Sequence, residues 1–179
     1  MIKIGIDVGS TTAKLVAVDE NDNLLFSKYE RHNAKAKETI LSFLKELLSE
    51  IGDKDISVRI TGSIGMGISE KCSLPFVQEV VAAAKAIQKD YSHVTSMIDI
   101  GGEDAKVVFF KDAEATDLRM NGNCAGGTGA FIDQMAIILG VNIDELNQLA
   151  MNATQVYPIA SRCGVFCKTD IQNLIAKNV

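Results

Sequence analysis

Two short runs in this sequence place a carboxylate just ahead of a glycine-containing turn: Asp7-Val8-Gly9-Ser10-Thr11-Thr12 and Asp99-Ile100-Gly101-Gly102-Glu103-Asp104. Glycine in such a turn lets backbone N–H groups approach an anion closely, and Ser10, Thr11 and Thr12 add hydroxyl donors. Phosphate is the natural guest. An aspartate at each strand end can hold a hydrated magnesium ion against the β- and γ-phosphates of a nucleotide, or orient an attacking water. Taken singly, either turn is also explained as a hairpin whose aspartate caps its own backbone. Repetition argues against that reading. Asp7, Gly9 and Lys14 recur as Asp99, Gly101 and Lys106 at a constant offset of 92 residues. A hairpin does not need all three at one register, whereas a nucleotide clamped between two pseudo-symmetric lobes does. There is no Gly-x-x-x-x-Gly-Lys-Ser/Thr P-loop and no Gly-x-Gly-x-x-Gly after a strand.

Cysteine supplies the second kind of chemistry. Asn121-Gly122-Asn123-Cys124-Ala125-Gly126-Gly127-Thr128-Gly129 sets Cys124 in a glycine-rich loop ahead of an expected helix, where the helix dipole and free N–H groups favour a thiolate. Ser161-Arg162-Cys163-Gly164-Val165-Phe166-Cys167 is a second such loop, with Arg162 as a nearby cation. A lone cysteine is by default a small buried hydrophobe. Two similar loops raise the alternative of a shared site. A four-iron four-sulfur cluster needs four thiolates, and the closely spaced ferredoxin run is absent. Two thiolates per chain make half a site, which a twofold dimer would complete. A single-chain zinc site using all four cysteines, Cys72 and Cys167 included, fits the spacing less well.

The elements that must position these residues follow from periodicity. Ile2–Val8 alternates as a half-buried strand and, with Leu15–Val18 and Leu24–Phe26, predicts a three-stranded antiparallel meander. Ile40, Leu44, Leu47, Leu48 and Ile51 form one stripe of a helix over 36–51, and Gly52 stops it. Ile56–Ile60 is a further strand, Thr61–Gly67 a glycine-punctuated stretch after it, and Val77, Val80, Val81, Ala84 and Ile87 mark a second amphipathic helix. The pattern then restarts with Ile98–Gly101, Val107–Phe110 and a strand near 116–120, followed by helices over about 128–139 and 170–178. Two lobes, 1–92 and 93–179, are expected to share a cleft and a hinge. His32 and His93 lack metal-ligand spacing and are expected at the surface. Met66, Met97, Met120, Met135 and Met151 are expected as core filler.

Composition limits the partners. The 179 residues are 47% hydrophobic and 23% charged, as in a folded globular protein, with 18 Lys and Arg against 23 Asp and Glu. That net charge of −5 provides no basic field for nucleic acid. No apolar run reaches membrane-spanning length and no signal-peptide pattern opens the chain, so a cytoplasmic protein without a membrane partner is expected.

The phosphate turns resemble those of the actin, sugar kinase and Hsp70 superfamily. This implies an α/β chain of duplicated ribonuclease H-like, actin-like lobes, the second incomplete because the sequence stops within an expected helix. With Cys124-Ala125-Gly126-Gly127-Thr128-Gly129 and Ser161–Phe166, the chain resembles, over essentially its whole length, the activators of 2-hydroxyacyl-CoA dehydratases in the BadF/BadG/BcrA/BcrD ATPase family. The resemblance implies a homodimer with one four-iron four-sulfur cluster at the interface, ATP/ADP and Mg2+ as cofactors, and electron transfer into a partner dehydratase or reductase. A donor such as ferredoxin or flavodoxin would supply the electron. It makes Cys124 and Cys163 cluster ligands, Asp99 the orienter of the hydrolytic water, and Asp7 the second catalytic carboxylate. Gly9, Ser10, Thr11, Thr12, Lys14, Gly101, Gly102, Glu103, Asp104 and Gly127 are the expected cofactor contacts. Glu103 stands where the family more often has Gln, and Cys167 is a bystander. A small-molecule kinase of the same superfamily is the competing reading, using both turns but not the cysteines. A non-enzymatic, actin-like assembly module is a third.

Overall fold

A computed structural model of the protein describes residues 1–112, 114–121 and 124–178. Its chain divides into two compact units, Met1–Ser92 and His93–Val179.

In the first unit, β1 (Ile2–Val8), β2 (Thr12–Val18) and β3 (Leu24–Arg31) form the expected antiparallel meander, and β4 (Ile56–Thr61) adds to β1 in parallel. The sheet order is β3-β2-β1-β4. A parallel neighbour needs a crossover, and α1 (Ala36–Ile51) provides it. Period-two alternation sends Ile2, Ile4, Ile6 and Val8 of β1, with Ala13, Leu15 and Ala17 of β2, to one face. Ile40, Phe43, Leu47 and Ile51 of α1 are buried with them. Phe43 belongs to this stripe and Leu48 does not: Leu48 is exposed and Leu44 only partly buried. Each fully buried side chain of this size contributes about 1.5–3 kcal/mol of transfer free energy.

The glycine-punctuated segment after β4, to which periodicity assigned no element, is helical, α2 (Ser63–Cys72), preceding α3 (Glu79–Asp90). One of its glycines serves close packing. A Cβ on Gly65 would stand 3.3 Å from Ile60 Cγ1, so the helix backbone lies directly against the strand it follows.

The second unit opens with β5 (Ser96–Ile100), β6 (Ala105–Lys111) and β7 (Glu114–Met120), an antiparallel sheet in the order β5-β6-β7. It repeats the first meander closely. Asp7 faces Lys14 across β1 and β2, and Asp99 faces Lys106 across β5 and β6. The register irregularity at Ala17/Val18 also recurs, at Phe109/Phe110. Three helices follow: α4 (Gly129–Leu139), α5 (Ile143–Met151) and α6 (Gly164–Ala176). The second was not expected from periodicity. Its signal is the capping box, in which Asn142 Oδ1 accepts from the Glu145 N–H and the Glu145 carboxylate accepts from the Asn142 N–H. The third begins at Gly164, several residues ahead of its expected start.

Two further expectations are corrected. Met66, Met120 and Met151 are largely exposed, and of the methionines named above Met135 lies in the core. His32 is buried, at 4% exposure. Among the described residues, no helix is long and apolar enough to cross a membrane.

Candidate functional site

The first turn closes on a hydrogen bond from the Gly9 N–H to the Thr12 carbonyl, at 3.0 Å. The second closes identically, Gly101 N–H to Asp104 carbonyl, at 2.8 Å. Behind each turn stands an aspartate–lysine pair. Lys14 Nζ donates to Asp7 Oδ2 at 2.8 Å and lies over the Tyr29 ring at 5.6 Å. Lys106 Nζ stands 3.2 Å from Asp104 Oδ1 and 4.0 Å from Asp99 Oδ2. Lys106 is buried at 6% exposure and would be too costly to bury alone, so the two carboxylates that face it are part of what permits its position.

Asp7 keeps a second function open. Its Oδ1 is buried and, among the described residues, accepts no hydrogen bond. Thr61, its register partner on β4, has a buried and equally unpartnered hydroxyl. Buried polar atoms in native folds have partners, so this pair fits a bound water or the hydration shell of a cation. An apolar cavity of about 600 Å3 borders the same Asp7 and Lys14 side chains. Ser10, Thr11, Gly101, Gly102 and Asp104 are half-buried, Thr12 is buried, and Glu103 and Gly127 are exposed.

The cysteine loops adjoin the second turn through hydrogen bonds. At the start of α4, the Gly129 N–H donates to the Gly101 carbonyl at 2.8 Å and the Ala130 N–H to the Gly102 carbonyl at 3.1 Å. The first amides of α4 are therefore engaged by the turn. They do not reach Cys124, contrary to the expectation that this thiol lies at the start of its own helix. Cys124 Sγ accepts from the Gly126 N–H at 3.3 Å, and the Gly126 N–H followed by the Gly164 N–H holds its thiol below the ordinary cysteine pKa. Gly164 is the first residue of α6, and Cys163 is its N-cap. The helix end facing the Cys124 thiol is thus that of the other cysteine's helix. A small cleft of about 110 Å3 is lined by Gly126, Gly127, Arg162, Cys163 and Gly164 among others.

Asn121 ties these parts together. It exchanges hydrogen bonds with Ala105, the residue after the second turn, and its Nδ2 donates to the Cys124 carbonyl at 3.0 Å. Gly122 and Asn123 of the same motif lie outside the described residues. Cys167 is buried and Cys72, on the first unit, is exposed. Among the described residues, no three His, Cys, Asp or Glu side chains gather as a metal site within the chain. Sequence reasoning gave Asn121 and Gly164 no role of their own and placed His32 at the surface, because the hydrogen bonds these residues make across loops leave no periodic signal.

The 2-hydroxyisocaproyl-CoA dehydratase activator of Clostridioides difficile is 30% identical over 191 residues, covering 99% of this chain and 67% of the relative. The crystal structure of the Acidaminococcus fermentans (R)-2-hydroxyglutaryl-CoA dehydratase component A superposes with a TM-score of 0.88 at 27% identity, over 100% of this chain and 70% of that one. The activator of the 2-hydroxyisocaproyl-CoA dehydratase from Clostridium difficile, solved with bound ADPNP, gives 0.87 at 29% identity, over 100% and 67%. This chain thus spans about two thirds of the length of these proteins. Ethanolamine utilization protein EutJ from Carboxydothermus hydrogenoformans shares the fold at 15% identity and a TM-score of 0.58. The fold is that of the actin-like ATPases, and the model of the BadF/BadG/BcrA/BcrD ATPase family matches residues 4–179. Since that match takes in both carboxylate turns and both cysteine loops, the chain belongs to the BadF/BadG/BcrA/BcrD ATPase family.

Proposed function

We propose that this chain forms the nucleotide- and cluster-binding portion of an ATP-hydrolysing activator. In this reading a homodimer passes a low-potential electron, received from a ferredoxin- or flavodoxin-like donor, to a 2-hydroxyacyl-CoA dehydratase or related reductase. The observation that carries it is the pair of turns with the same closing hydrogen bond and the same aspartate–lysine register, the second of them bonded to the start of α4 beside the Cys124 loop. The second turn and a thiol-bearing loop therefore share one hydrogen-bonded framework.

In this reading the 9–12 turn of unit 1–92 and the 101–104 turn of unit 93–179 each bind phosphate oxygens of ATP. Gly9, Ser10, Thr11 and Thr12 present N–H and hydroxyl donors from the first, and Gly101 and Gly102 their backbone from the second. Glu103, Asp104 and Gly127 lie at the edge of the second turn's contact. Lys14 balances the Asp7 charge, while Asp7 Oδ1 is left to orient a water of hydrated Mg2+. Asp99 orients the attacking water, with the Lys106 ammonium 4.0 Å from its carboxylate. Cys124 and Cys163 from each of two subunits would hold one four-iron four-sulfur cluster, which would supply a low-potential one-electron centre. Their fit rests on the donor set: an exposed thiol whose pKa backbone N–H groups lower, and a second at the N-cap of the helix that supplies one of them. Gly101 and Gly102 accept from α4, so a displacement of the second turn by the γ-phosphate shifts the start of that helix and the loop before it.

The test uses the intact protein, purified without oxygen. Asp99→Asn is expected to lower ATP turnover about a hundredfold while changing Mg-ADPNP affinity less than about threefold, because it removes the water's partner but not the phosphate contacts. Unchanged turnover removes Asp99 from the mechanism. A Cys124→Ala protein that is colourless yet retains full phosphoryl transfer to a small acceptor would establish the kinase reading instead.

A further inference from the structure

His32 follows β3 directly, and three of its polar groups converge on its neighbours. Its N–H donates to the Thr11 carbonyl at 3.2 Å, and its own carbonyl accepts from the Lys35 N–H at 2.7 Å. The ring Nε2 lies 3.0 Å from the Gly9 carbonyl. A carbonyl oxygen can only accept, so the hydrogen is on Nε2 and the tautomer is set by geometry. Nδ1 is buried and has no partner among the described residues. The next two residues, Asn33 and Ala34, have φ of 47° and 63°, left-handed backbone that residues other than glycine seldom adopt. A buried ring, an unpartnered nitrogen and two unfavourable backbone conformations make a costly arrangement for a surface loop. They are concentrated where the chain touches the first turn.

We propose that His32 is a positioning residue for that turn: by holding the Gly9 and Thr11 carbonyls toward itself, it directs the N–H groups of Ser10 and Thr12 the opposite way, toward the phosphate. The physical basis is the planar trans peptide, in which C=O and N–H point in opposite directions. Fixing the Gly9 carbonyl fixes the Ser10 N–H, and fixing the Thr11 carbonyl fixes the Thr12 N–H. The backbone bond from His32 N–H extends the β2–β3 ladder, which ends with Thr12 facing Arg31. The ring bond reaches past β2 to the end of β1, so one residue ties both sides of the turn. Donors oriented before the anion arrives need no reorganisation on binding. The inference rests on the phosphate reading of the 9–12 turn.

Affinity for Mg-ADPNP, measured by calorimetry on the intact protein, decides it. His32→Leu removes the ring donor and is expected to weaken binding about tenfold. His32→Gln places an amide nitrogen where Nε2 stands and is expected to bind within about threefold of wild type, whereas the shorter His32→Asn is expected to behave like leucine. Melting temperatures of the Gln and Asn variants should agree while their affinities differ, which a purely structural role would not produce. Should the leucine variant fail to fold, the Gln and Asn pair carries the decision alone. Equal affinity in those two, or wild-type affinity in His32→Leu, overturns the proposal. An Asp7→Asn variant with weakened binding alongside unaffected His32 variants would leave the phosphate reading standing. No binding by the wild type would remove both.

Discussion

Protein carrying Cys124→Ala or Cys163→Ala, purified without oxygen, is expected to contain no bound iron, against about four irons and four sulfides per two chains in the wild type. The size of the effect follows from counting ligands. Each chain brings two candidate thiols, and a twofold axis doubles every loss, so a single substitution takes the site from four thiolates to two. Two thiolates leave half the corners of a four-iron cluster without protein ligands. Cys72→Ala and Cys167→Ala serve as controls: the first thiol lies in the other unit and the second is in the core, so both variants should keep their iron. Iron and acid-labile sulfide assays, with sedimentation of the same samples, give the answer. Full iron in either single variant, or iron in a monomer, would refute the shared-site reading.

Gly62→Ala should cost the first unit at least about 3 kcal/mol of stability and release the Asp7 carboxylate from its present place. Gly62 joins β4 to α2 with φ 90° and ψ 159°, a region open essentially to glycine alone. A Cβ there would fall inside contact distance of the Val8 carbonyl oxygen and within 2.5 Å of Asp7 Oδ1. Neither neighbour can retreat easily. Val8 is fully buried in a central strand, and Asp7 is held by Lys14. Thermal melting and Mg-ADPNP binding should therefore fall together, whereas Gly67→Ala, with open space around its Cβ, should leave both near wild type. A Gly62→Ala protein with wild-type melting would show that the β4–α2 junction is looser than its geometry indicates.

These residues also show what could be read before the fold was seen. The period-two runs and the 92-residue repeat are local, one-dimensional signals, and they foretold both meanders and the matching aspartate–lysine register. The fold of the sheets was legible because β1 to β3 and β5 to β7 are joined by short turns, where sequence neighbours become spatial neighbours. Helix α2 was missed because Gly62, Gly65 and Gly67 look like loop punctuation, while at least one of them exists to let a helix lie close to Ile60. His32 was misplaced at the surface because its partners are carbonyls of residues 9 and 11, which carry no side-chain signature. The pKa of the Cys124 thiol is lowered, as its loop suggested, by a different cause: Gly126 and the start of α6 supply the donors, and the start of α4 is occupied by the second turn. Pairings of this kind depend on which loops meet, which residue types alone do not state.

Gly126 and Gly164 meet backbone to backbone. A Cβ on the first would stand 3.3 Å from Cys124 Sγ and from the Gly164 nitrogen, and one on the second 3.3 Å from Gly126 Cα and 3.4 Å from the Phe131 ring. The interval between the two sulfur-bearing strands of chain is therefore gauged by two missing methyl groups. A side chain at either position acts as a shim, prising the loops apart by tenths of an ångström and loosening the N–H donors from the sulfur. Fine adjustment of this locus by substitution thus falls to its outer ring, where Arg162 stands, because a Cβ at either glycine forces its neighbours to give way.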